Sequence, residues 1–467
     1  MSTINFSGLA SGIDTNGLID ATSAATRKSR VTPKQTKVSD LEETNTAFAS
    51  IDTKLEAIRS SLRGFTTLAG GGVSKLASSS KESVVTATAS NAASNGSYTV
   101  TVSALAKNFT GSFDTTFSST SSPVLSTINA GDPVGQRTVT FSIGTGANLS
   151  TVSVEVTNGT FSVADFVAAF NNNTTKASAS LVNVGTASVP SYKMVVTSNN
   201  EGIEKGQVTI SVGSSVTSLT AHTNDSQATN ASFSISGIGT VTRATNSVAD
   251  VIPGLTLSLS SVGDATVKVA EDAATTATKV QTFVDAYNDL VAFIVTNNLI
   301  SRDDSGKEIK NVFGPLASTR TDDNALSNLR SAIASAVASG GSQVRIFSDL
   351  AVTTERDGTL KFDSTKFQTA VATEPSSASA ILQNFADKAA GTGGTIDVFT
   401  RFNGLLDISV NSNKTLISDL NNQISEAEKQ ISRTEDNMRA RFARLESQIG
   451  KLQQQQSSLN SALSGLR

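Results

Sequence analysis

His222 is the only histidine among 467 residues, and the chain contains no cysteine. A Ser-His-Asp or Cys-His system therefore has one possible base, set in a Ser/Thr/Asn-rich stretch. Neither a His-based nor a Cys-based zinc site can be assembled, and disulfides are excluded. No GxxxxGK[ST] or GxGxxG loop is present to cradle phosphate. The glycine pairs Gly144-Thr-Gly146 and Gly237-Ile-Gly239 read as turns or bulges in β regions. Asp303-Asp304-Ser-Gly306 has the opening of a calcium loop without its later acidic ligands. A carboxylate pair for glycoside hydrolysis would lack its usual stacking platforms, because there is no Trp and only three Tyr. Arg27, Lys28, Arg30, Lys34 and Lys37 form a basic cluster with two readings. It is a solvated face or disordered arm, or it is an electrostatic contact with an acidic partner or a neighbouring copy. No catalytic residue, cofactor or metal is expected.

The chemistry left to this chain is that of surfaces, and one element offers a long one. Leu416, Leu420, Ile424, Ala427, Ile431, Met438, Phe442, Leu445, Ile449, Leu452, Leu459, Leu463 and Leu466 recur at steps of three, four or seven. That spacing puts them on one stripe of an α-helix, with Glu, Lys, Arg, Gln, Asn and Ser between. At 1.5 Å per residue the helix would run roughly 75 Å, longer than a single domain can cover, so it is expected to pair as a coiled coil. Polar residues interrupt the seam at Thr434/Glu435 and at Gln453–Gln456. Glu435 and Asp436 are spaced to pair with Arg439 within the helix. Phe6, Leu9 and Ile13, with Phe48, Ile51, Leu55 and Ile58, are the expected N-terminal side of the pairing.

Residues 1–37 read as polar and irregular, with Gly8, Gly12 and Gly17. A helical stripe starts at Val38 and continues through Leu41, Phe48, Ile51, Leu55, Ile58, Leu62 and Phe65, and Gly70-Gly71-Gly72 is expected to stop it. The period then switches to two. Strands are expected at 84–90, 97–104, 138–143, 152–156, 177–182, 192–197, 208–212, 231–236, 255–260 and 266–270. Ser162-Val-Ala-Asp165 opens a short helix with a capping box. The same letters at Ser247-Val-Ala-Asp250 mark either a second related β unit or a second N-cap. From about residue 272 the helical period returns, in Val280, Val284, Tyr287, Val291 and Ile294 and then in Leu326, Leu329, Ile333 and Val337. Asp357-Gly358 predicts a hairpin, and Asp363 a cap for the helix carrying Phe367 and Val371.

The expected class is α+β multidomain, with terminal coiled-coil helices and a helical domain between which β-rich domains are inserted. The boundaries read as 1–37 with 416–467 for a terminal coiled coil or flexible leg, and 38–72 with 272–415 for a helical domain. Residues 73–110 with 228–271 form a β-rich domain, and 111–227 a distal β-rich insert. Charged residues are 16%, against about a quarter in an ordinary domain, which is unlike a cytosolic enzyme. A net charge of −3 gives no nucleic-acid footprint. No run of eighteen apolar residues occurs, so no membrane span is expected. The start has no basic n-region and no unbroken apolar stretch, so no cleaved signal peptide is expected.

A family resemblance runs through the chain. Phe6-Ser-Gly-Leu-Ala-Ser-Gly-Ile-Asp14 resembles the opening signature of the bacterial flagellar filament caps, the hook-associated protein 2 or FliD family. Ser97-Tyr-Thr-Val-Thr-Val-Ser-Ala-Leu-Ala106, Tyr192-Lys-Met-Val-Val-Thr-Ser198 and Asn246-Ser-Val-Ala-Asp-Val-Ile-Pro-Gly-Leu-Thr-Leu-Ser-Leu259 continue it. So do Asp285-Ala-Tyr-Asn-Asp-Leu290, Asp357-Gly-Thr-Leu-Lys-Phe-Asp363, Arg439-Ala-Arg-Phe-Ala-Arg-Leu-Glu446 and the Gln-rich 452–463. Residues 107–136 and 213–229 carry little of the pattern. The resemblance implies an extracellular structural protein at the flagellum tip, exported by the flagellar type III route with an export chaperone. It implies a homo-oligomeric, pentamer-like ring whose coiled-coil legs meet flagellin at the filament end and whose β domains form a plate. Flagellin insertion and retention would follow from that arrangement without nucleotide hydrolysis. Two rival readings stand beside it. One is a secreted adhesin binding host mucin or glycans through its β domains; the other is a hydrolase using a carboxylate pair.

Overall fold

The computed structural model describes Gly12 and residues 14–464, except 126–131, 158, 220, 304–309 and 340–342. The chain forms two compact units: one takes the residues up to Gly72 and from Thr276 onward, the other Val73–Thr275. The class is α+β multidomain, a β-rich unit inserted between helical segments.

The helical unit opens with α1 (Thr15–Arg30) and α2 (Thr32–Leu62). The irregular reading of 1–37 is therefore corrected from residue 15 onward. Asp14 accepts from the Gly17 amide at 2.9 Å and caps α1. Arg27, Lys28 and Arg30 fill its last turn, where positive charge opposes the helix dipole. Only Ile19 and Val31 are buried aliphatics here, too sparse a stripe to see by period. Pro33 in the first turn of α2 has no amide hydrogen and crowds the turn before it, so the two helices break at Val31. Along α2 the stripe Leu41, Phe48, Ile51, Leu55, Ile58 and Leu62 is buried, while Val38 is only half-covered. α2 ends at Leu62 in a 3-10 turn, before the glycines. Gly70-Gly71-Gly72 instead shapes the exit loop, at φ of 89°, 68° and 61°. At Gly72 a Cβ would lie 1.5 Å from Ser379 Oγ, so glycine is required twice over.

The β unit contains β1 (Lys75–Ser79), β2 (Val85–Ala89), β3 (Gly96–Ala104), β4 (Asn108–Phe117), β5 (Thr138–Ile143) and β6 (Ser150–Glu155). α3 (Val163–Asn173), β7 (Ala177–Asn183), β8 (Tyr192–Glu201), the short α4 (Ile203–Gly206) and β9 (Val208–Val212) follow. It closes with β10 (Ala231–Ile235), β11 (Gly239–Arg243), β12 (Ser247–Ile252), β13 (Leu255–Leu259) and β14 (Gly263–Glu271). One core, with Val85, Val100, Phe233, Leu257 and Val267, lies under sheets ordered β1-β14-β3-β10-β11 and β12-β13-β2. A second, with Phe109, Phe113, Phe141, Phe166 and Phe170, is enclosed by β4-β8-β7, β6-β5-β9 and α3. All the pairings are antiparallel, so alternate residues reach the core and the rest stay polar, which is the period-two signal. Four strands escaped that signal: β1, β4, β11 and β12. In β4 the buried Phe109, Phe113 and Phe117 recur every four residues, which mimics a helix. Ser162 does cap α3, its Oγ accepting from the Asp165 amide while Asp165 accepts from the Ser162 amide, both at 3.1 Å. Ser247–Asp250 lies within strand β12, where Asp250 accepts from Arg243 at 2.9 Å, so the expectation of a second N-cap there is corrected.

α5 (Ala273–Asn297) is followed by the hairpin β15 (Ile300–Asp303) and β16 (Lys310–Phe313), then α6 (Thr321–Ala334). Val280, Val284, Tyr287, Val291 and Ile294 are all buried. Val337 lies past the end of α6 and is exposed, correcting its place in that stripe. β17 (Val352–Thr354) and β18 (Leu360–Phe362) pair across the Asp357-Gly358 turn. Asp363 caps α7 (Ser364–Thr373), accepting from the amides of Thr365 and Lys366. α8 (Pro375–Ala390), α9 (Thr395–Thr400) and the 60-residue α10 (Leu405–Ser464) complete the unit.

Candidate assembly surface

The residues that could have done chemistry are placed structurally. His222 Nδ1 lies 2.8 Å from Asp225 Oδ2, and its ring meets Phe113 edge-on, so it ties a loop to the second β core. Gly144 and Gly146, like Gly237 and Gly239, occupy turns at positive φ. The acidic run beginning at Asp303 passes into 304–309, outside the described residues. Among the described residues no group of three metal-ligating side chains converges.

What remains is α10. It is continuous through Thr434/Glu435 and Gln453–Gln456, because polar side chains in a seam weaken packing without breaking a backbone ladder. At 1.5 Å per residue it is about 90 Å long. α2 and α1 pack along it, antiparallel. Asn413 donates to Asn45 at 2.9 Å, and further along Arg30 reaches Gln430 at 3.4 Å. Arg27 donates from Nε to Glu428 at 3.0 Å and places Nη2 3.3 Å from Glu435, one heptad on. The Glu428 hydrogen bond, with both carboxylates' charge, raises the Arg27 guanidinium above its ordinary value. Arg439 reaches Asn16 at 3.3 Å and Asp20 at 3.9 Å. The expected pairs of Glu435 and Asp436 with Arg439 are thus replaced, for Glu435 and Arg439, by contacts across to α1. Part of the basic cluster is a contact after all, with its own chain.

One stronger signal was present in the sequence. Val410, Ile417, Ile424, Ile431, Met438, Leu445, Leu452 and Leu459 repeat every seven residues without exception. Their exposure tells where the cover ends. Val410, Ile417 and Ile424 are half-buried, Ile431 is 3% exposed, and Met438 is half-buried. Leu445, Leu452 and Leu459 then rise to 43%, 63% and 64%. Leu463 is 59% exposed, and Leu416 44%. Leu420, Ala427, Phe442 and Ile449 are half-covered, and Leu466 lies outside the described residues. Asn16, near the start of α1, lies opposite Arg439, and it is beyond this point that Leu445, Leu452, Leu459 and Leu463 stand exposed. Of the N-terminal set, Phe48, Ile51, Leu55 and Ile58 lie in the core of the helical unit, whereas Phe6, Leu9 and Ile13 lie outside the described residues.

The α1–α10 contact is itself loosely built. A cavity of about 100 Å³ lies between the helices, lined by Thr22, Ser23, Thr26, Ile431, Thr434 and Met438. The Ser23 hydroxyl is buried there with no hydrogen-bond partner among the described residues. Small polar residues opposite Ile431 leave the knob without a hole to fill. No helix of the described residues is long and apolar enough to cross a membrane.

Two family descriptions match the chain: the flagellar hook-associated protein 2 N-terminus over residues 11–109, and its C-terminus over 228–461. The A-type flagellar hook-associated protein 2 of Pseudomonas aeruginosa is 30% identical over 456 residues, covering 91% of each chain. The B-type protein of the same species is 27% identical over 184 residues, 38% of each chain. The crystal structure of the D1-D2-D3 domains of the flagellar cap protein FliD from Escherichia coli superposes with a TM-score of 0.60 at 19% identity. It spans 79% of this chain and 99% of that one, which is a likeness of fold. The matching family is structural and not enzymatic, so the hydrolase reading is set aside.

Proposed function

Because the chain belongs to the flagellar hook-associated protein 2 family, we propose that it is a structural cap at the distal end of a bacterial flagellar filament. In this reading it promotes flagellin insertion and polymerisation and keeps flagellin from being lost. The observation that carries the reading is the end of α10, where Leu445, Leu452, Leu459 and Leu463 stand exposed on a helix of heptad period. A bare heptad seam is stable only against another helix. Neighbouring copies in a small ring and flagellin at the filament end are the helices proposed to cover it. The loose α1–α10 joint suits a leg that repacks as each flagellin enters. Location outside the cell, after export through the flagellar channel without a cleaved signal, completes the proposal. The absence of cysteine suits a chain threaded unfolded through a narrow pore.

Deleting residues 445–467 tests this reading, since Glu428, Glu435 and Arg439, which contact α1, all lie before the cut. In the native strain the truncated protein should remain folded while flagellin monomer appears in the medium and filaments shorten. Filaments of normal length with no flagellin release would overturn it.

A further inference from the structure

β7 is the outer strand of the β4-β8-β7 sheet, so one side of its backbone has no strand partner among the described residues. Even-numbered residues of this strand bond to β8, as continued by Val184, whose amide donates to Ser191 at 2.7 Å. Odd-numbered residues therefore turn their N–H and C=O outward. At Ala179 that outward pair is taken by Asn171 of α3, which accepts from the amide at 2.8 Å and donates to the carbonyl at 2.9 Å. One side-chain amide imitates a neighbouring strand and closes the edge there. Leu181 and Asn183 turn the same groups outward. Among the described residues no hydrogen bond reaches the backbone of either on that side.

The open half of the edge is ordered and uncharged. Asn183 Oδ1 accepts from the amides of Gly185 and Ser191, both at 3.0 Å, and stitches the hairpin loop shut. Val182 and Val184 are 44% and 54% exposed. No charged residue occurs from Ala177 to Ser191, and no lysine, bulge or proline guards 181–184 as natural edges usually require.

We propose that this open edge pairs antiparallel with the same edge of a second copy. The pattern fixes the register. Leu181 of each copy stands opposite Asn183 of the other and exchanges two backbone hydrogen bonds, and Val182 faces its own counterpart in a close, non-hydrogen-bonded pair. Extension beyond this is stopped at Ala179, already occupied by Asn171. A second copy is the occupant because a two-fold contact must be self-complementary, and this one brings no like charges together. Lys193 stands across from Val182 on β8, one strand further from the edge. The contact is far smaller than the roughly 1,200 Å² of a stable interface, so it is a weak pairing of two copies that a cross-link can trap. It needs no contribution from α10 and is independent of the cap reading.

The absence of cysteine makes a direct test simple. In the full-length chain, Val182→Cys should give disulfide-linked dimers under mild oxidation, because facing Cβ atoms in such a pair lie about 4.5–5.5 Å apart. Val189→Cys, 72% exposed on the same hairpin but out of register, should cross-link at least about tenfold more slowly. Adding Val184→Glu to Val182→Cys should slow cross-linking by placing like charges beside the pair, with circular dichroism reporting that the fold is kept. Equal rates at 182 and 189, or no dimer at 182, would overturn the proposal while leaving assembly through α10 untouched.

Discussion

The Arg27 Nε donates to Glu428 at 3.0 Å across the α1–α10 contact, and the same guanidinium reaches Glu435 one heptad further. A planar fork spanning two carboxylates sets the axial register of α1, which its few apolar residues could not do alone. That register decides where the cover of α10 stops.

Arg27→Ala should therefore loosen α1 selectively. Amide exchange across Thr15–Arg30 should quicken, while exchange through the buried part of α2 stays unchanged. Because Arg27 is well exposed, raising salt should have a similar but smaller effect on the unmodified protein. Identical exchange in the two proteins would mean that apolar packing alone holds α1.

Two charges placed on one heptad series should behave oppositely. Ile431→Asp buries an unpaired carboxylate and should cost more than about 2 kcal/mol, seen as a lowered thermal midpoint of the helical unit. Leu459→Asp lies on exposed helix and should move stability by no more than about 0.5 kcal/mol. It should nevertheless impair motility. Normal motility would mean that the exposed seam has no partner there.

Ser23→Ala should stabilise the joint. The buried hydroxyl has no partner among the described residues, and removing it should gain up to about 1 kcal/mol and slow exchange in α1. A loss of stability would point to a bond made by that hydroxyl.

Two carboxylates in the helical unit should give opposite pH dependence. The Arg59 hydrogen bond, at 2.6 Å, and the Gly393 amide hold Asp397 below its ordinary value of about 3.9. Its stabilisation is present above that value and is lost as pH falls through the depressed one. Burial, and then the charges of Glu56 and Asp407, push Asp52 up. Its contribution is best below the ordinary value and is lost as pH rises through the raised one. Melting from about pH 3 to pH 7 should show Asp397→Asn lowering the midpoint near neutrality. Asp52→Asn should raise it there by about 1–2 °C. The reverse order would refute both assignments.

Much of the architecture could be read in advance, and the exceptions share a cause. The strands Thr138–Ile143 and Val208–Val212, and the stripe of α5, were legible because one buried face stamps its period on the residues that form it. β4 was not, because buried phenylalanines every fourth residue satisfy either period. α1 was not, because its helix depends on a cap and on cover from α10 more than on its own stripe.

For the assembly surface the division is sharper. Sequence alone predicted a helix over 416–467 whose seam would need a partner, and it determined that the chain lacked the histidines and cysteines for a metal or thiol site. Periodicity carries those facts because backbone preference and side-chain direction are local. Only the tertiary structure decided that Arg439 turns to Asn16 and Asp20, that Ile431 is covered, and that Leu452 and Leu459 are bare. Those outcomes depend on which segment four hundred residues away in the chain lies opposite, and no local pattern contains that.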